Sequence, residues 1–96
     1  MEGTRVTVLW LDNKNIMIQE YMKAAMRHAK YEVLPEDQSY YGEIPECNGV
    51  WANADNWEDC RQELQEVLEE WIFLRLRKDL SIPKIDGVML ELHEVA

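Results

Sequence analysis

The sequence has little of what membrane spans, disulfide-rich scaffolds and nucleic-acid binders need. Its 96 residues include two cysteines, three prolines and ten basic residues. Two cysteines do not make a disulfide framework, so both thiols are expected to be reduced, as in a cytoplasm. No apolar run approaches the length that spans a membrane, and the start lacks the apolar region of a signal peptide. These shortages favour a cytoplasmic protein without a membrane segment.

The shortage of basic residues leaves a strongly acidic chain. Nineteen acidic residues against ten basic ones give a formal net charge of −9 at pH 7. A surface this negative repels phosphate backbones, so binding to free DNA or RNA is disfavoured. A basic partner is instead attracted, and its encounter is accelerated. Solubility alone is the competing explanation, because net charge bears on solubility before it bears on function.

No set of side chains has a catalytic or metal-binding spacing. Four acidic residues cluster in or beside the second predicted strand: Glu36, Asp37, Glu43 and Glu46. Two of them could bind a metal or form an acid–base pair, as in a metal-dependent hydrolase. A solvated turn and an exposed sheet face explain the same residues more simply. The two histidines are far apart, and neither stands near a cysteine in a zinc-like spacing. The chain is therefore predicted not to be an enzyme, with no metal and no cofactor.

Hydrophobic periodicity predicts an α+β domain. Three short segments alternate apolar and polar residues and are joined by turn-forming links, which favours antiparallel strands. A longer segment with apolar residues at helical spacing follows, and Asp55 or Asn56 is suited to cap its start. The predicted elements are strands at about 29–34, 39–44 and 50–54 and a helix at about 57–79.

Further elements are predicted on both sides of this unit. Residues 16–28 have helical spacing, and residues 88–92 alternate as in a final strand. Residues 4–11 are apolar on both faces, which suits a strand covered on two sides or an edge strand awaiting a partner. A single domain is expected over 1–96, with its core at about 29–83. Residues 1–15 are either an extra strand or an extension from the chosen start codon.

The alternation also assigns side chains to the core and to an opposite sheet face. The expected core residues are Tyr31, Val33, Ile44, Trp57, Leu64, Leu68 and Trp71. Aromatic side chains anchor interfaces, and carboxylates steer a basic partner, so the other face is the candidate partner-binding surface. Its candidate residues are Tyr41, Glu43, Glu46, Trp51 and Asn53. The competing interpretation is that the first helix or the terminal strands cover this face.

An ordered set of short motifs resembles the HicB family of antitoxins. The family pattern is a strand, an acidic turn, a Tyr-containing strand ending in Pro, a Gly followed by a strand, and a long helix ending in Ile-Pro. No single motif is specific, but the order and spacing of the set are. The matching segments are Ala-Lys-Tyr-Glu-Val (29–33), Tyr-Tyr-Gly-Glu-Ile-Pro (40–45), Gly-Val-Trp-Ala (49–52), Trp-Glu-Asp-Cys (57–60), Glu-Val-Leu-Glu-Glu-Trp-Ile (66–72) and Ser-Ile-Pro (81–83).

The resemblance implies a fold, a partner and a function. The implied fold is a small antiparallel sheet with a long helix across one face, similar to a truncated ribonuclease H fold without its catalytic acids. The implied partner is a small basic HicA-like toxin that cleaves mRNA with a histidine. The implied function is to bind that toxin and mask its active site.

Three departures from the family pattern matter. Asn48 stands where many members have a proline, so the loop after the second strand is expected to differ in shape. Residues 84–96 show no recognisable DNA-binding segment, so direct DNA binding is not expected. Residues 1–15 have no counterpart in the pattern.

A second hypothesis is a stand-alone acidic interaction module that acts by strand pairing or self-association, without a toxin. It rests on the apolar strands predicted at both ends of the chain, which offer unpaired edges. A homo-oligomer is expected under either hypothesis, because edge strands pair readily.

Overall fold

In the computed structural model, the chain is described over residues 18–90, which form one helix, three strands and a long second helix in that order. Helix α1 covers residues 18–27 of this range. The later elements are β1 (Lys30–Val33), β2 (Tyr40–Glu43), β3 (Trp51–Ala54) and α2 (Trp57–Arg77). This order confirms the predicted α+β class. The strand predicted at 4–11 lies outside the described residues.

The three strands form an antiparallel meander in the order β1-β2-β3. Gly42, on the central strand, lies between Tyr31 of β1 and Ala52 of β3. A Cβ atom at Gly42 would lie 2.8 Å from two atoms of the Tyr31 ring. The glycine therefore permits the close approach that a glycine inside a strand often marks.

Helix α2 packs across the sheet along one stripe. The side chain of Asn56 accepts a hydrogen bond from the backbone N–H of Asp59 at 2.9 Å, which makes Asn56 the N-cap. Acidic residues occupy the first turn and basic residues the last turn, as the helix dipole favours. The buried residues recur every four positions: Cys60, Leu64, Leu68, Ile72 and Leu76.

The helix ends at Arg77, slightly before the predicted position. Asp79 adopts a left-handed backbone conformation with φ of 57°. The N–H of Leu80 then returns to the carbonyl of Arg75 at 2.8 Å. This closure satisfies a carbonyl that the last turn leaves free, and it stops the helix before the Ile-Pro segment.

Two residues predicted for the core lie at the surface. Val33 is 49% exposed and Trp57 is 47% exposed. Helix α2 packs mainly over β2 and β3, so about half of the Val33 side chain stays in water. Trp57 is the first residue of α2 and packs one side against the ring of Tyr31, with ring centroids 4.3 Å apart.

The remaining predicted core residues are enclosed to different degrees. Ile44, Leu64 and Leu68 are fully buried, whereas Tyr31 and Trp71 are only partly buried. The Nε1–H of Trp71 donates to the backbone carbonyl of Asn48 at 3.1 Å, so its polar edge faces the loop between β2 and β3.

Helix α1 also contributes side chains to the buried core. Tyr21 is fully buried, and its hydroxyl donates to the backbone carbonyl of Pro83. Cys47 and Cys60 are both free and buried, and burial raises the pKa of each thiol. Of the helices in the described range, none has the length and apolarity that a bilayer crossing needs.

The final strand predicted at 88–92 is not a strand in its described part. Val88 forms only an isolated bridge with Ile85. Asp86 and Gly87, which lie between them, both have positive φ, 51° and 80°. This is the turn of a two-residue hairpin, and no further pairing extends it to residue 90. Residues 91–92 lie outside the described range.

Candidate functional site

The sheet face that points away from α2 carries aromatic and charged side chains. A Cβ atom at Gly42 would lie 3.4 Å from Sγ of Cys60 on α2, so the neighbours of Gly42 in β2 project from the opposite face of the sheet. That face has two cross-strand rows, Lys30–Glu43–Trp51 and Glu32–Tyr41–Asn53. The register thus brings four of the five candidate partner-binding residues together. We call this surface, defined by the two rows, the aromatic face.

Tyr41 and Trp51 form a stacked pair on the aromatic face. Their ring centroids are 6.1 Å apart with an interplanar angle of 24°. Trp51 is 54% exposed. Stacking fixes both rings and leaves apolar area in contact with water, which is the property of an interface anchor.

A hydrogen bond holds the hydroxyl end of this pair. The Oη–H of Tyr41 donates to Oε1 of Glu43 at 3.0 Å. Loss of solvation, followed by the hydrogen bond to Glu43, raises the pKa of the Tyr41 phenol. The hydroxyl therefore stays protonated at neutral pH and orients the carboxylate beside the two rings.

Asn53 braces the sheet instead of offering a free amide. Its Nδ2 donates to Oγ of Ser39 and to the backbone carbonyl of Tyr40, both at 2.9 Å. Ser39 is buried, and its backbone N–H donates to Asp37 at 3.0 Å. The hydrogen bonds with Ser39 lower the pKa of the Asp37 carboxyl. Asn53 thus fixes the end of β3 to the start of β2.

Glu46 does not lie on the aromatic face. It belongs to the connection between β2 and β3, where its Oε2 lies 2.7 Å from Nδ1 of His28 at the end of α1. The other ring nitrogen of His28 contacts Asp86. The hydrogen bond to Asp86, followed by that to Glu46, raises the pKa of His28. His28 therefore ties three segments together, and Glu46 is separated from the other candidates.

An open groove runs between β3 and α2. With a volume of about 300 Å³, it is at the small end for ligand pockets, and it is open to solvent rather than enclosed. We call it the acidic groove; Trp51, Asn53, Glu63, Glu66, Val67 and Glu70 line it.

The sequence predicts the carboxylates of this groove to be only a solvated helix face. Their three- and four-residue spacing does place them on one side of α2. Which side of the helix borders β3 depends on how α2 is rotated against the sheet. Residue spacing alone carries no signal for the groove.

Three of the four acidic residues in or beside β2, namely Asp37, Glu43 and Glu46, are engaged at separate places. Asp37 accepts from Ser39, and Glu46 pairs with His28. Over residues 18–90, no three His, Cys, Asp or Glu side chains are grouped closely enough to hold a metal ion. The described residues therefore offer surfaces for contact and no assembled metal centre.

A single long helix across a three-stranded antiparallel meander defines the class of this small α+β domain. The chain belongs to the UPF0150-like family, whose family model matches residues 20–83. Its structure is similar to the crystal structure of TTHA0281 from Thermus thermophilus, with a TM-score of 0.74 and 36% sequence identity. That similarity covers 80% of this chain and 95% of the Thermus chain. A comparison with curated proteins gives no match.

Proposed function

We propose that this protein is a HicB-type antitoxin that binds a small basic, HicA-like, mRNA-cleaving toxin and masks its active site. The UPF0150-like family is associated with HicB-like toxin–antitoxin modules. The observation that carries the proposal is the stacked Tyr41–Trp51 pair on the aromatic face, in which Tyr41 is partly buried and Trp51 is 54% exposed. Exposed, rigid aromatic side chains are the usual anchors of protein interfaces.

Charge supports a basic partner. Glu32 and Glu43 are on the aromatic face with the two rings, and the whole chain carries a formal charge of −9. A toxin that cleaves mRNA must hold phosphates, so its active surface is basic. An acidic surface competes directly with RNA for such a site, and it accelerates the encounter.

On this proposal the protein acts by covering a partner and performs no chemistry itself. The site of action is the cytoplasm, because the toxin's mRNA substrate is there. The Tyr41–Trp51 pair supplies apolar contact area, and the carboxylates around it supply orientation and selectivity.

Coexpression tests the proposal directly. A HicA-like toxin encoded beside this gene should arrest growth when it is expressed alone. Coexpression of this chain should restore growth and give a soluble complex in size-exclusion chromatography. Absence of both rescue and complex, with each protein shown to be folded by circular dichroism, would remove the proposal.

Matched tryptophan and phenylalanine variants test the surface. Trp51→Ala removes the exposed half of the stacked pair and should weaken toxin binding about 30-fold, the loss expected for an interface hot spot. Phe73→Ala is the control, since Phe73 is 42% exposed and belongs to α2, which packs on the other face of the sheet. Equal affinities for the two variants, measured by titration calorimetry, would place the interface elsewhere.

A stand-alone module that self-associates is the second candidate function. The observation in its favour is apolar exposure around the end of α2, where Phe73, Leu74 and Leu80 are each more than two-fifths exposed. Such surface is typical of association sites when it is contiguous. Analytical ultracentrifugation distinguishes the two candidates. A stable homo-oligomer that does not bind the toxin supports the second, and a toxin complex supports the first.

A further inference from the structure

Among residues 18–90, no strand pairs with the backbone groups on the outer edge of β3. The N–H of Ile44 donates to the carbonyl of Val50 at 3.2 Å, so these two residues are a hydrogen-bonded pair of β2 and β3. Along two antiparallel strands, hydrogen-bonded residue pairs alternate with pairs whose backbone groups point away from each other. The backbone groups of Ala52 and Ala54 therefore face β2, and those of Trp51 and Asn53 face outward.

A row of carboxylates borders that edge. Glu63, Glu66 and Glu70 are exposed on α2 and line the acidic groove together with Trp51. The row spans about 10 Å along the helix axis. Unpaired strand edges are templates for another strand, and proteins commonly block them with charge. Here the charge has one sign only, so it repels an acidic strand and attracts a basic one.

We propose that the open edge of β3 takes up an extended basic segment of a partner protein as a fourth strand, with cationic side chains against Glu63, Glu66 and Glu70. The inference rests on the proposed function for the identity of that partner, and it adds how the partner is held. Main-chain hydrogen bonds to Trp51 and Asn53 supply affinity, and the flanking side chains supply selectivity.

The geometry of a strand specifies the bound sequence. Side chains of an added strand alternate between the two faces of the sheet, and those on one face are about 6.7 Å apart. The row of carboxylates is long enough for two Lys or Arg side chains at alternate positions. The residue between them falls on the side of the aromatic face, next to Trp51. The preferred segment therefore alternates basic and apolar residues.

A second copy of this chain is a poor occupant of the same edge. Pairing of β3 with β3 of a second copy would continue the sheet and place two α2 helices on the same side. Glu63, Glu66 and Glu70 of both copies would then approach one another, and like charges at close range oppose association. Charge complementarity thus selects a cationic partner over self-pairing.

Designed peptides test strand addition on the full chain. The probe is a blocked peptide of about eight residues that alternates Lys and Val, a length within the range of natural strands. The control peptide has the same side chains but carries an N-methyl group on every residue, which removes the main-chain donors of both strand edges. We expect ¹⁵N NMR titration to show binding of the first peptide only. Amide exchange of Trp51 and Asn53 should slow when it binds.

Neighbouring glutamates supply the matched protein variants. Glu63→Lys/Glu70→Lys reverses two charges in the acidic groove, whereas Glu58→Lys/Glu69→Lys reverses two on another part of α2. Both double variants change net charge equally. The first double variant should lower the affinity for the peptide at least about tenfold, and the second less than about threefold. Only closely spaced ion pairs contribute appreciably in water.

Three results would overturn the inference. Equal binding of the N-methylated peptide would show simple charge attraction. Equal effects of the two double variants would show that the groove has no special role. Protection of the Trp51 and Asn53 amides in the free protein would show that the edge is already occupied, by this chain or by a second copy.

These results are distinguishable from failure of the proposed function. Toxin rescue that survives Glu63→Lys/Glu70→Lys would keep the antitoxin proposal and remove strand addition at β3. Peptide binding at the groove without any toxin complex would keep strand addition and remove the antitoxin proposal.

Discussion

The Nε2 atom of His28 lies 2.8 Å from Oδ1 of Asp86, although the two residues are 58 positions apart in the chain. The opposite ring atom, Nδ1, lies 2.7 Å from Oε2 of Glu46. One imidazole ring therefore joins the end of α1, the connection between β2 and β3, and the turn at Asp86. Both neighbours are carboxylates, so the doubly protonated ring satisfies both contacts as a donor.

The first prediction is that this contact depends on pH. Asp86 and then Glu46 raise the pKa of His28, so its stabilisation is fully present below the ordinary histidine pKa and is lost as pH rises through the raised value. His28→Gln should therefore lower the free energy of unfolding more at about pH 6 than at about pH 9. Urea unfolding at the two pH values measures the difference.

An exposed lysine provides the control for that experiment. Lys23 pairs loosely with Glu20 at 3.9 Å on the outer side of α1. Lys23→Gln should leave the difference between the two pH values as it is in the parent protein. A His28→Gln protein with the same pH dependence as the parent would contradict the prediction.

The second prediction contrasts two adjacent residues of α2. Ile72 is fully buried, while Phe73 is 42% exposed. Ile72→Ala should lower the free energy of unfolding by about 2–5 kcal/mol, because it removes buried methyl groups and leaves a cavity. Phe73→Ala should cost less than about 1 kcal/mol, because much of that ring is already in water. Thermal unfolding of both variants checks the contrast, and similar losses would mean that the stripe on α2 is wrongly placed.

The third prediction concerns the contact between Gly42 and Tyr31. Gly42→Ala would place a Cβ atom 2.8 Å from the Tyr31 ring. The ring of Trp57 packs against Tyr31 and limits how far the Tyr31 ring can move away. The resulting overpacking should cost about 1–3 kcal/mol. The same substitution in a Tyr31→Ala background should cost much less, since the clash is gone. An unchanged cost in the double variant, from a double-mutant cycle of urea unfolding, would show that Tyr31 is not the obstacle.

The fourth prediction concerns the cap of α2. Asn56→Ala removes the side-chain acceptor for the backbone N–H of Asp59 and should cost about 1 kcal/mol. Asn56→Asp keeps an acceptor and adds a negative charge at the helix start, so it should retain the stability of the parent. Asp55→Ala is the control, because the cap is Asn56 and not its neighbour. A larger loss for Asp55→Ala than for Asn56→Ala, measured by thermal unfolding, would reverse the assignment.

Much of the fold follows from periodicity. Alternation determines which strand residues share a face, so it groups Tyr41, Glu43, Trp51 and Asn53 correctly on one side of the sheet. The four-residue stripe of α2 is visible for the same reason. These features are local, because each depends on the backbone geometry of one element or of one short hairpin.

The strand predicted at 88–92 fails because of a local turn at Asp86 and Gly87, whereas the other wrong and missing predictions depend on how elements pack against one another. Val33 alternates like a core residue, yet α2 packs mainly over β2 and β3 and leaves Val33 49% exposed. Trp57 starts the helix and packs against Tyr31 on one side, while nearly half of its surface stays in water. The carboxylates of the acidic groove depend on the rotation of α2 beside β3, and the contact of Glu46 with His28 depends on where α1 ends. No spacing rule contains that information.

Chemical labelling of the two buried thiols can report local unfolding of this protein. Neither Cys47 nor Cys60 reaches water in the native fold, and burial keeps the pKa of each thiol above its ordinary value. A maleimide or disulfide reagent needs an accessible thiolate, so modification must await exposure of each cysteine. Cys60 is within the stripe of α2, whereas Cys47 belongs to the loop before β3. Their labelling rates would therefore show whether that loop detaches before the helix or together with it.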